Sequence, residues 1–406
     1  MLNKPQDVSS WFENVIISAI EKRASDIHFE PERDSFNVRF RIDGLLQQYE
    51  TLTKYFQDNV ISMIKVMSNM NIIERRLPQD GHFEFARMNR IHNIRVSTFP
   101  TVYGETVVLR ILNREDILID LGRLGFLPDQ LEIVNKLITS SSGMILTTGP
   151  TGSGKTNLLY SIIHALNKPD KNIVTLEDPI EYQMANIRQA QISESTGLSY
   201  LIGMRSVIRQ DPDVVMLGEI RDVDTAQMAV LATLTGILIF STFHTFDVPA
   251  LVTRFLEFGI THSVIAQTIK GVISTRLVRT ICDSCREQYE MGIPEKSDSY
   301  IRSLLGNRSS PSNFQKGRGC EKCGNTGYLG RTGIFEVVYF DEEMKSSIME
   351  RELPSHISGI IRGKKIRTLR DSAMEKVFEG ITTYEEVSRV LGAEMEQKDA
   401  SPKSTL

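Results

Sequence analysis

Apolar and polar positions divide the chain into two regions with different rhythms. In the first, Trp11, Phe12, Val15, Ile16, Ala19 and Ile20 recur at helical spacing. Ser10 and Glu13 form a capping-box pair at the start of that helix. Residues 24–31 (ASDIHFEP) read as a short strand ending at a proline turn. From Phe36 to Gly44 the alternation is regular: Phe36, Val38, Phe40 and Ile42 take one face, and Asn37, Arg39, Arg41 and Asp43 the other. Asp43-Gly44 turns the chain. Phe56, Val60, Ile64, Met67 and Met70 mark a second helix, and residues 74–81 a polar loop. Strands follow near 94–97 and over 107–112, with Arg95 and Arg110 pointing outward. A small α+β domain over 1–112 is expected, then a linker over 113–127. Its arginine-bearing face is either a solvated sheet face or a grip for an anion.

From Pro128 the pattern changes to strands alternating with helices, the sign of a parallel sheet. Residues 144–148 form one apolar strand. Residues 173–176 form another and end in Glu177-Asp178-Pro179; 214–217 end in Gly218-Glu219, and 237–240 lead to His244. In open α/β sheets ligands bind beyond the carboxyl ends of the strands, where these side chains fall. Thr225 to Phe246 carries no Asp, Glu, Lys or Arg, but a Thr-Gly break at 235–236 makes it a buried helix, a turn and a central strand rather than a membrane span.

The first of these strands runs into Gly149-Pro150-Thr151-Gly152-Ser153-Gly154-Lys155-Thr156, which fits the G-x-x-x-x-G-K-[ST] phosphate-binding loop. The glycines allow a backbone with positive φ to approach a ligand, and the N–H groups form an anion nest at a helix N-terminus. Lys155 would place its charge on the β- and γ-phosphates, and the Thr156 hydroxyl would ligate Mg²⁺. Leu158, Leu159, Ile162, Ile163 and Leu166 supply the helix that the motif requires. With Glu177 and Glu219 this predicts ATP hydrolysis. Either glutamate could hold the metal shell or polarise the attacking water, and a structural ion pair is the bland alternative. His244 is either a satisfied buried histidine or a γ-phosphate or interface sensor. Charge on the γ-phosphate needs a further cation, from the arginine-bearing sheet or from Arg205, Arg209 or Arg221.

A length of 406 residues suits two or three domains, and a net charge of −4 carries no whole-chain signature of nucleic-acid binding. Nucleic-acid translocation with a zinc ribbon and non-hydrolysing ATP scaffolding are the competing readings. The four cysteines form two C-x-x-C pairs, Cys282/Cys285 and Cys320/Cys323, separated by the 34 residues 286–319. The stretch between them is polar and could hardly bury a core. A Cys₄ zinc element over 282–330 would supply the missing stability, with redox or idle thiols as the alternatives. Four thiolates leave zinc no open position for catalysis. A strand and helices are expected over 331–393 and a disordered tail over 394–406. The basic run from Arg362 to Arg367, with Arg370, reads as a solvated face or a contact for acidic lipid or a partner.

Several stretches together resemble one family: ASDIHFEP (24–31), VRFRIDG (38–44), LPQDG (77–81), STFPTVYGE (97–105), GPTGSGKT (149–156), LEDPIEY (176–182), RQDPDVVMLGEIRD (209–222), STFHT (241–245) and GCEKCGNTGYLGRTGIFEV (319–337). The chain is similar to the type II secretion and type IV pilus assembly ATPases, the general secretion pathway protein E family. The resemblance implies an α/β fold: a P-loop RecA-like parallel-sheet domain over 128–281, after a small PAS-like α+β domain. It also implies a cytoplasmic homohexamer at the inner face of the inner membrane, using ATP, Mg²⁺ and Zn²⁺. Hydrolysis would drive domain rotation, moving an inner-membrane platform protein and adding pilin or pseudopilin subunits. No nucleic acid is expected.

In the family Glu177 belongs to the Asp box, Gly218-Glu219 to the Walker B element and His244 to the His box. Arg95 and Arg110, and with them Arg39 and Arg41, would complete a neighbouring subunit's site. The cysteines favour an assembly motor over a retraction motor. Three departures stand out. Ile237 occupies the usual first His-box histidine, and His82 replaces the arginine usual after Q-D-G. The extra N-terminal domain with which many relatives dock a membrane partner is expected to be missing, which leaves recruitment by a membrane-anchored protein open.

Overall fold

In the first of the chain's two units, Met1–Asp116, helix α1 (Val8–Glu21) begins earlier than the Ser10/Glu13 pair predicts. Asp7 is the N-cap, and its carboxylate accepts the Ser9 and Ser10 N–H groups at 3.1 and 3.2 Å. One carboxylate satisfies two of the helix's orphan donors where a hydroxyl would serve one. The computed structural model describes residues 7–87, 90–112, 119–245, 247–289, 314–350, 354–364 and 366–392. The residues from 290 to 313, the start of the expected linker and the expected tail lie outside them.

Strands β1 (Ala24–Pro31), β2 (Ser35–Ile42) and β3 (Leu45–Thr53) come next, then α2 (Gln57–Met67), β4 (Gln79–Arg87), β5 (Arg90–Thr101) and β6 (Gly104–Leu112). They form an antiparallel sheet in the order β3-β2-β1-β6-β5-β4. The inward residues of β1 and β2, Ile27, Phe29, Phe36, Val38 and Phe40, bury against Phe12, Val15 and Ile16 of α1 and Val60 and Ile64 of α2. The two edge strands depart from expectation. β3 lacks the alternation of a half-buried strand, whereas β4 alternates about the buried Phe83 but opens on Gln79-Asp80-Gly81, within the stretch expected to be a polar loop.

The second unit, Ile117–Leu406, begins within the stretch expected to be linker. Leu121 and Leu127 are buried there, and Leu121 packs in this unit's core. The elements are α3 (Pro128–Ile138), β7 (Gly143–Thr148), α4 (Lys155–Leu166), β8 (Ile173–Glu177), β9 (Arg188–Gln191), α5 (Tyr200–Val207), β10 (Val214–Glu219), α6 (Val223–Leu234), β11 (Leu238–Phe243), α7 (Val248–Glu257), α8 (His262–Thr268) and β12 (Ile269–Ile281). A short hairpin, β13 (Arg286–Tyr289) and β14 (Phe314–Gly317), precedes β15 (Tyr328–Tyr339). The main sheet runs β15-β12-β7-β11-β10-β8-β9, parallel except for β15.

Alternate residues of its central strands serve two cores. Met144, Leu146, Val215, Leu217 and Ile239 pack on one face with α6, α7 and α8. Ile145, Val214, Met216, Leu238 and Phe240 pack on the other with α3 and α4. Burial on both faces is why these strands read as continuous apolar runs. The charge-free stretch is α6, a turn at Gly236 and the central strand β11, as expected. Among the described residues no helix is long and apolar enough to cross a membrane.

Helices Leu369–Phe378 and Tyr384–Leu391 close a further small core with Val278, Phe314 and Ile334. The basic run is less free than its sequence reads. Lys364 holds Asp341 at 2.5 Å and Glu343 at 2.6 Å, and Arg367 holds Asp129 at 2.6 Å and Glu375 at 3.1 Å. Acidic residues outside the run supply those partners.

Candidate active site

Strand β7, buried along its whole length, delivers the chain to Gly149 at the carboxyl edge of the parallel sheet. Gly149, Gly152 and Gly154 have φ of 145°, 77° and 93°. At Gly149 a Cβ would also lie 2.6 Å from both Ser153 Oγ and the Thr275 carbonyl, so the loop is folded too tightly for a side chain. Gly154 caps α4, and Lys155 is that helix's first residue. The helix therefore presents its unpaired first-turn N–H groups at the loop. The Lys155 ammonium, 8% exposed, donates to the Gly149 and Pro150 carbonyls at 2.6 and 3.0 Å. Burial pushes its pKa below the ordinary lysine value, and the Glu219 carboxylate partly offsets that.

Glu177 ends β8 and Glu219 ends β10, on adjacent parallel strands. Their surroundings differ. Among the described residues Glu177 accepts hydrogen bonds from neutral donors: Thr175 Oγ1 at 2.6 Å, Gln189 Nε2 at 3.0 Å and the Tyr160 hydroxyl. Glu219 instead meets a guanidinium and an imidazole: Arg221 Nη2 lies 2.5 Å and His244 Nε2 3.2 Å from its oxygens. The His244 side chain is 51% exposed, so it is not a buried structural histidine. Tyr200 stands beside them with a hydroxyl that has no hydrogen-bond partner among the described residues. A Cβ on Gly218 would sit 2.7 Å from that hydroxyl, which accounts for glycine before Glu219. Burial, then the Glu219 charge, raises the Tyr200 pKa and keeps the phenol protonated.

The structure brings the loop residues 151–156, Glu177, Glu219 and His244 together around one cavity of about 360 Å³, with Leu277 and Arg331 completing the wall. The Thr156 hydroxyl and the two carboxylates are hard oxygen donors, the set that suits Mg²⁺. Sequence reasoning missed Tyr160, Gln189 and Tyr200. Tyr160 lies among the core residues of α4 and looks like one of them. The clue was a phenol amid Leu158, Leu159, Ile162 and Ile163, because a buried hydroxyl needs a partner.

Arg205 and Arg209, at and just after the end of α5 in the second unit, are not among the residues lining the cavity. The other sequence-predicted arginines, Arg39, Arg41, Arg95 and Arg110, lie in the first unit, and register explains their partners. One row across its sheet reads Arg41, Asp26, Arg110, Arg95, His82. Arg110 Nε is 3.0 Å and Arg41 Nε 3.6 Å from Asp26, while Arg39 holds Glu30 at 2.5 Å. This face is a paired lattice rather than an open row of cations.

The cysteine cluster is a separate centre. All four sulfurs lie within 4.8 Å of one another. Cys282–Cys320, Cys285–Cys323 and Cys320–Cys323 are 3.8, 3.9 and 3.7 Å apart. A tetrahedral ion with Zn–S bonds of about 2.3 Å has edges of about 3.8 Å, so these sulfurs fit zinc. Burial pushes the Cys323 thiol up, but N–H groups of Cys320 and Gly327 outweigh it and hold it at about 6.

A phosphate cradle at the carboxyl edge of a parallel sheet, facing two strand-end carboxylates, defines a P-loop ATPase. More narrowly, the chain belongs to the Type II/IV secretion system protein family, whose sequence model matches residues 2–389. It is 40% identical over 376 residues to the type II secretion system protein E of Dickeya dadantii, covering 93% of this chain and 74% of that one. It is 40% identical over 377 residues to the type IV pilus assembly ATPase PilB of Thermus thermophilus, covering 93% of this chain. Of that relative's length the chain spans only 42%. In fold it is similar to the ATPase DotB of Legionella pneumophila, with a TM-score of 0.69, 20% identity and coverage of 95% and 97% of the two chains. It is likewise similar to the pilus retraction motor PilT with bound ADP, with a TM-score of 0.61, 23% identity and coverage of 93% and 96%.

Proposed function

We propose that this chain is the ATP-hydrolysing motor subunit of a type II secretion or type IV pilus assembly machine. It works as a homohexamer on the cytoplasmic side of the inner membrane, and its stroke acts on an inner-membrane platform protein to add pseudopilin or pilin subunits. The observation that carries this is the single cavity shared by the glycine cradle, Glu177 and Glu219.

The backbone N–H groups of the loop and first turn of α4 bind the phosphates, and Lys155 places its charge on the β- and γ-oxygens. Thr156 and Glu219 would hold Mg²⁺, which neutralises charge on the transferring phosphoryl group. Glu219 is engaged by Arg221 and His244. Glu177, with neutral donors, is the better group to orient and polarise the attacking water. His244 reads the state of Glu219. Zinc in the cysteine cluster serves folding alone.

Glu219→Gln in the full chain should abolish phosphate release while leaving ATP bound. It should also raise the Mg²⁺ requirement, which Glu177→Gln should not. A wild-type hexamer that hydrolyses nothing even with platform protein and lipid would overturn the motor in favour of an ATP-binding scaffold. Metal analysis should find one zinc per chain, lost in Cys323→Ser.

A further inference from the structure

We infer that Tyr160 is a positioning residue for hydrolysis: its hydroxyl fixes Glu177 so that the carboxylate has one free acceptor direction, into the cavity. The role of Glu177 rests on the function proposed above; the pinning itself rests on geometry alone.

Tyr160 is 1% exposed, on the core side of α4. Its hydroxyl oxygen accepts two backbone N–H groups, from Glu181 at 3.1 Å and Tyr182 at 3.3 Å. Those bonds fill its acceptor capacity, so its single proton has one destination, Glu177 Oε2. Burial first, and then the neighbouring carboxylate, raises the phenol's pKa and keeps that proton in place.

The other carboxylate oxygen is spoken for. Glu177 Oε1 takes the Thr175 hydroxyl and the Gln189 amide. Gln189 is itself held at both ends: its Nε2 also donates to the Tyr182 carbonyl at 2.9 Å, and its Oε1 accepts the Met184 N–H at 2.6 Å. A carboxylate offers about four acceptor directions. Three are filled, by Thr175, the doubly held Gln189 and Tyr160, and the remaining one is on Oε2. Glu177 lines the cavity, so that direction is available to a water there.

The hydroxyl also links two parts of the site. Tyr160 lies on the helix that starts at Lys155, and it receives N–H groups from the segment that follows Glu177. One oxygen therefore joins the phosphate-binding helix, the carboxylate and the loop after β8. A group held in advance for a transition state costs no reorganisation when the reaction occurs.

The test is Tyr160→Phe in the full-length chain, which keeps the ring in the core and deletes only the hydroxyl. Misplacement of a reacting group costs on the order of 10²-fold in turnover, and that loss in kcat is expected. Affinity for a magnesium–ATP analogue, read by titration calorimetry, should stay within about threefold, since the cradle is untouched. The Tyr160→Phe/Glu177→Gln double variant should be no slower than Glu177→Gln alone, because the two act as one unit.

A kcat within about twofold of wild type would overturn the inference, whatever happens to stability. So would losses that multiply in the double variant, or a fall in affinity as large as the fall in kcat. A crystal structure of Tyr160→Phe gives a reading independent of turnover: Glu177 should leave its present orientation, and an unmoved carboxylate would overturn the pinning. A wild-type chain with no turnover breaks the motor reading instead, and the crystal structure then decides the pinning on its own.

Discussion

Each unit of this chain places charged residues on strands, and the two sheets use them differently. In the parallel sheet, neighbouring strands end at the same edge, so Glu177 and Glu219, 42 residues apart, converge on one cavity. In the antiparallel sheet a charge in mid-strand meets whatever stands opposite. Asp26 meets Arg41 and Arg110, and its charge is spent on its neighbours. The same residue types therefore form a site in one sheet and a paired lattice in the other. Topology decides which.

The comparison can be broken most decisively at Lys155. Its amine, though buried, rests on two carbonyls of its own loop and bridges no element to another. Lys155→Ala should cost activity rather than fold. A cation on a transferring phosphoryl group can contribute ~10³–10⁵-fold, and a loss of that order in turnover is expected, with thermal stability nearly unchanged. A large fall in melting temperature would show that the lysine is structural after all.

In the first unit the opposite result is expected. Lys65 and Glu105 form an ion pair at 2.6 Å, 1% and 5% exposed. Removing one partner strands a buried charge, which costs about 3–5 kcal/mol. Glu105→Ala should lower the first unit's calorimetric transition by about 12 °C or more. Phosphate release per folded chain, measured well below that transition, should stay near wild type.

A third prediction refines the contrast, because the second unit also contains a charge lattice. Glu386, buried, takes Arg279 and Arg389 at 2.7 and 2.6 Å. Burial raises its carboxyl pKa, but the two guanidiniums outweigh that and hold it below the ordinary value. A depressed folded pKa gives stability that is present above the unfolded value of about 4.3 and is lost as pH falls through the folded one. Glu386→Gln should therefore cost about 2–3 kcal/mol near neutral pH, less than a fully buried pair because both arginines keep solvent contact. That gap should close as the solution is acidified below pH about 4, and urea unfolding at several pH values would measure it. A gap constant with pH would assign the loss to shape rather than charge.

The same contrast explains what could be read without coordinates. The cradle was legible because a phosphate loop needs its glycines at set intervals, and each sits where φ is positive. The strand-end glutamates were legible because parallel strands share an edge. The partners of Arg39, Arg41 and Arg110 were not, because pairing depends on register, and one residue of slip reverses every side chain. Strand β3 escaped notice because it alternates weakly, and β4 because it opens on Gln79-Asp80-Gly81 inside a polar stretch. Tyr160 and Gln189 lie 17 and 12 residues from Glu177, one in a core helix and the other on a short edge strand. Nothing local marks a donor whose purpose is defined by a distant acceptor.

The smallest effect belongs to Asp26, where the contrast is most exposed to challenge. The Asp26 carboxylate is 7% exposed, but its partners Arg41 and Arg110 are 36% and 61% exposed. Pairs open to water on one side contribute little, so Asp26→Asn should cost about 1 kcal/mol. Its removal leaves Arg41, Arg110 and Arg95 in one row with no acid among them. Like charges across a sheet repel, and salt screens that repulsion, with a Debye length of about 3 Å at 1 M. The loss should therefore be larger in low salt and shrink in 1 M salt, as urea unfolding at two ionic strengths would show. If Asp26→Asn instead left stability intact and stopped ATP turnover, this row would be functional in the same sense as the glutamates, and the division between a site and a lattice would fail at its weakest pair.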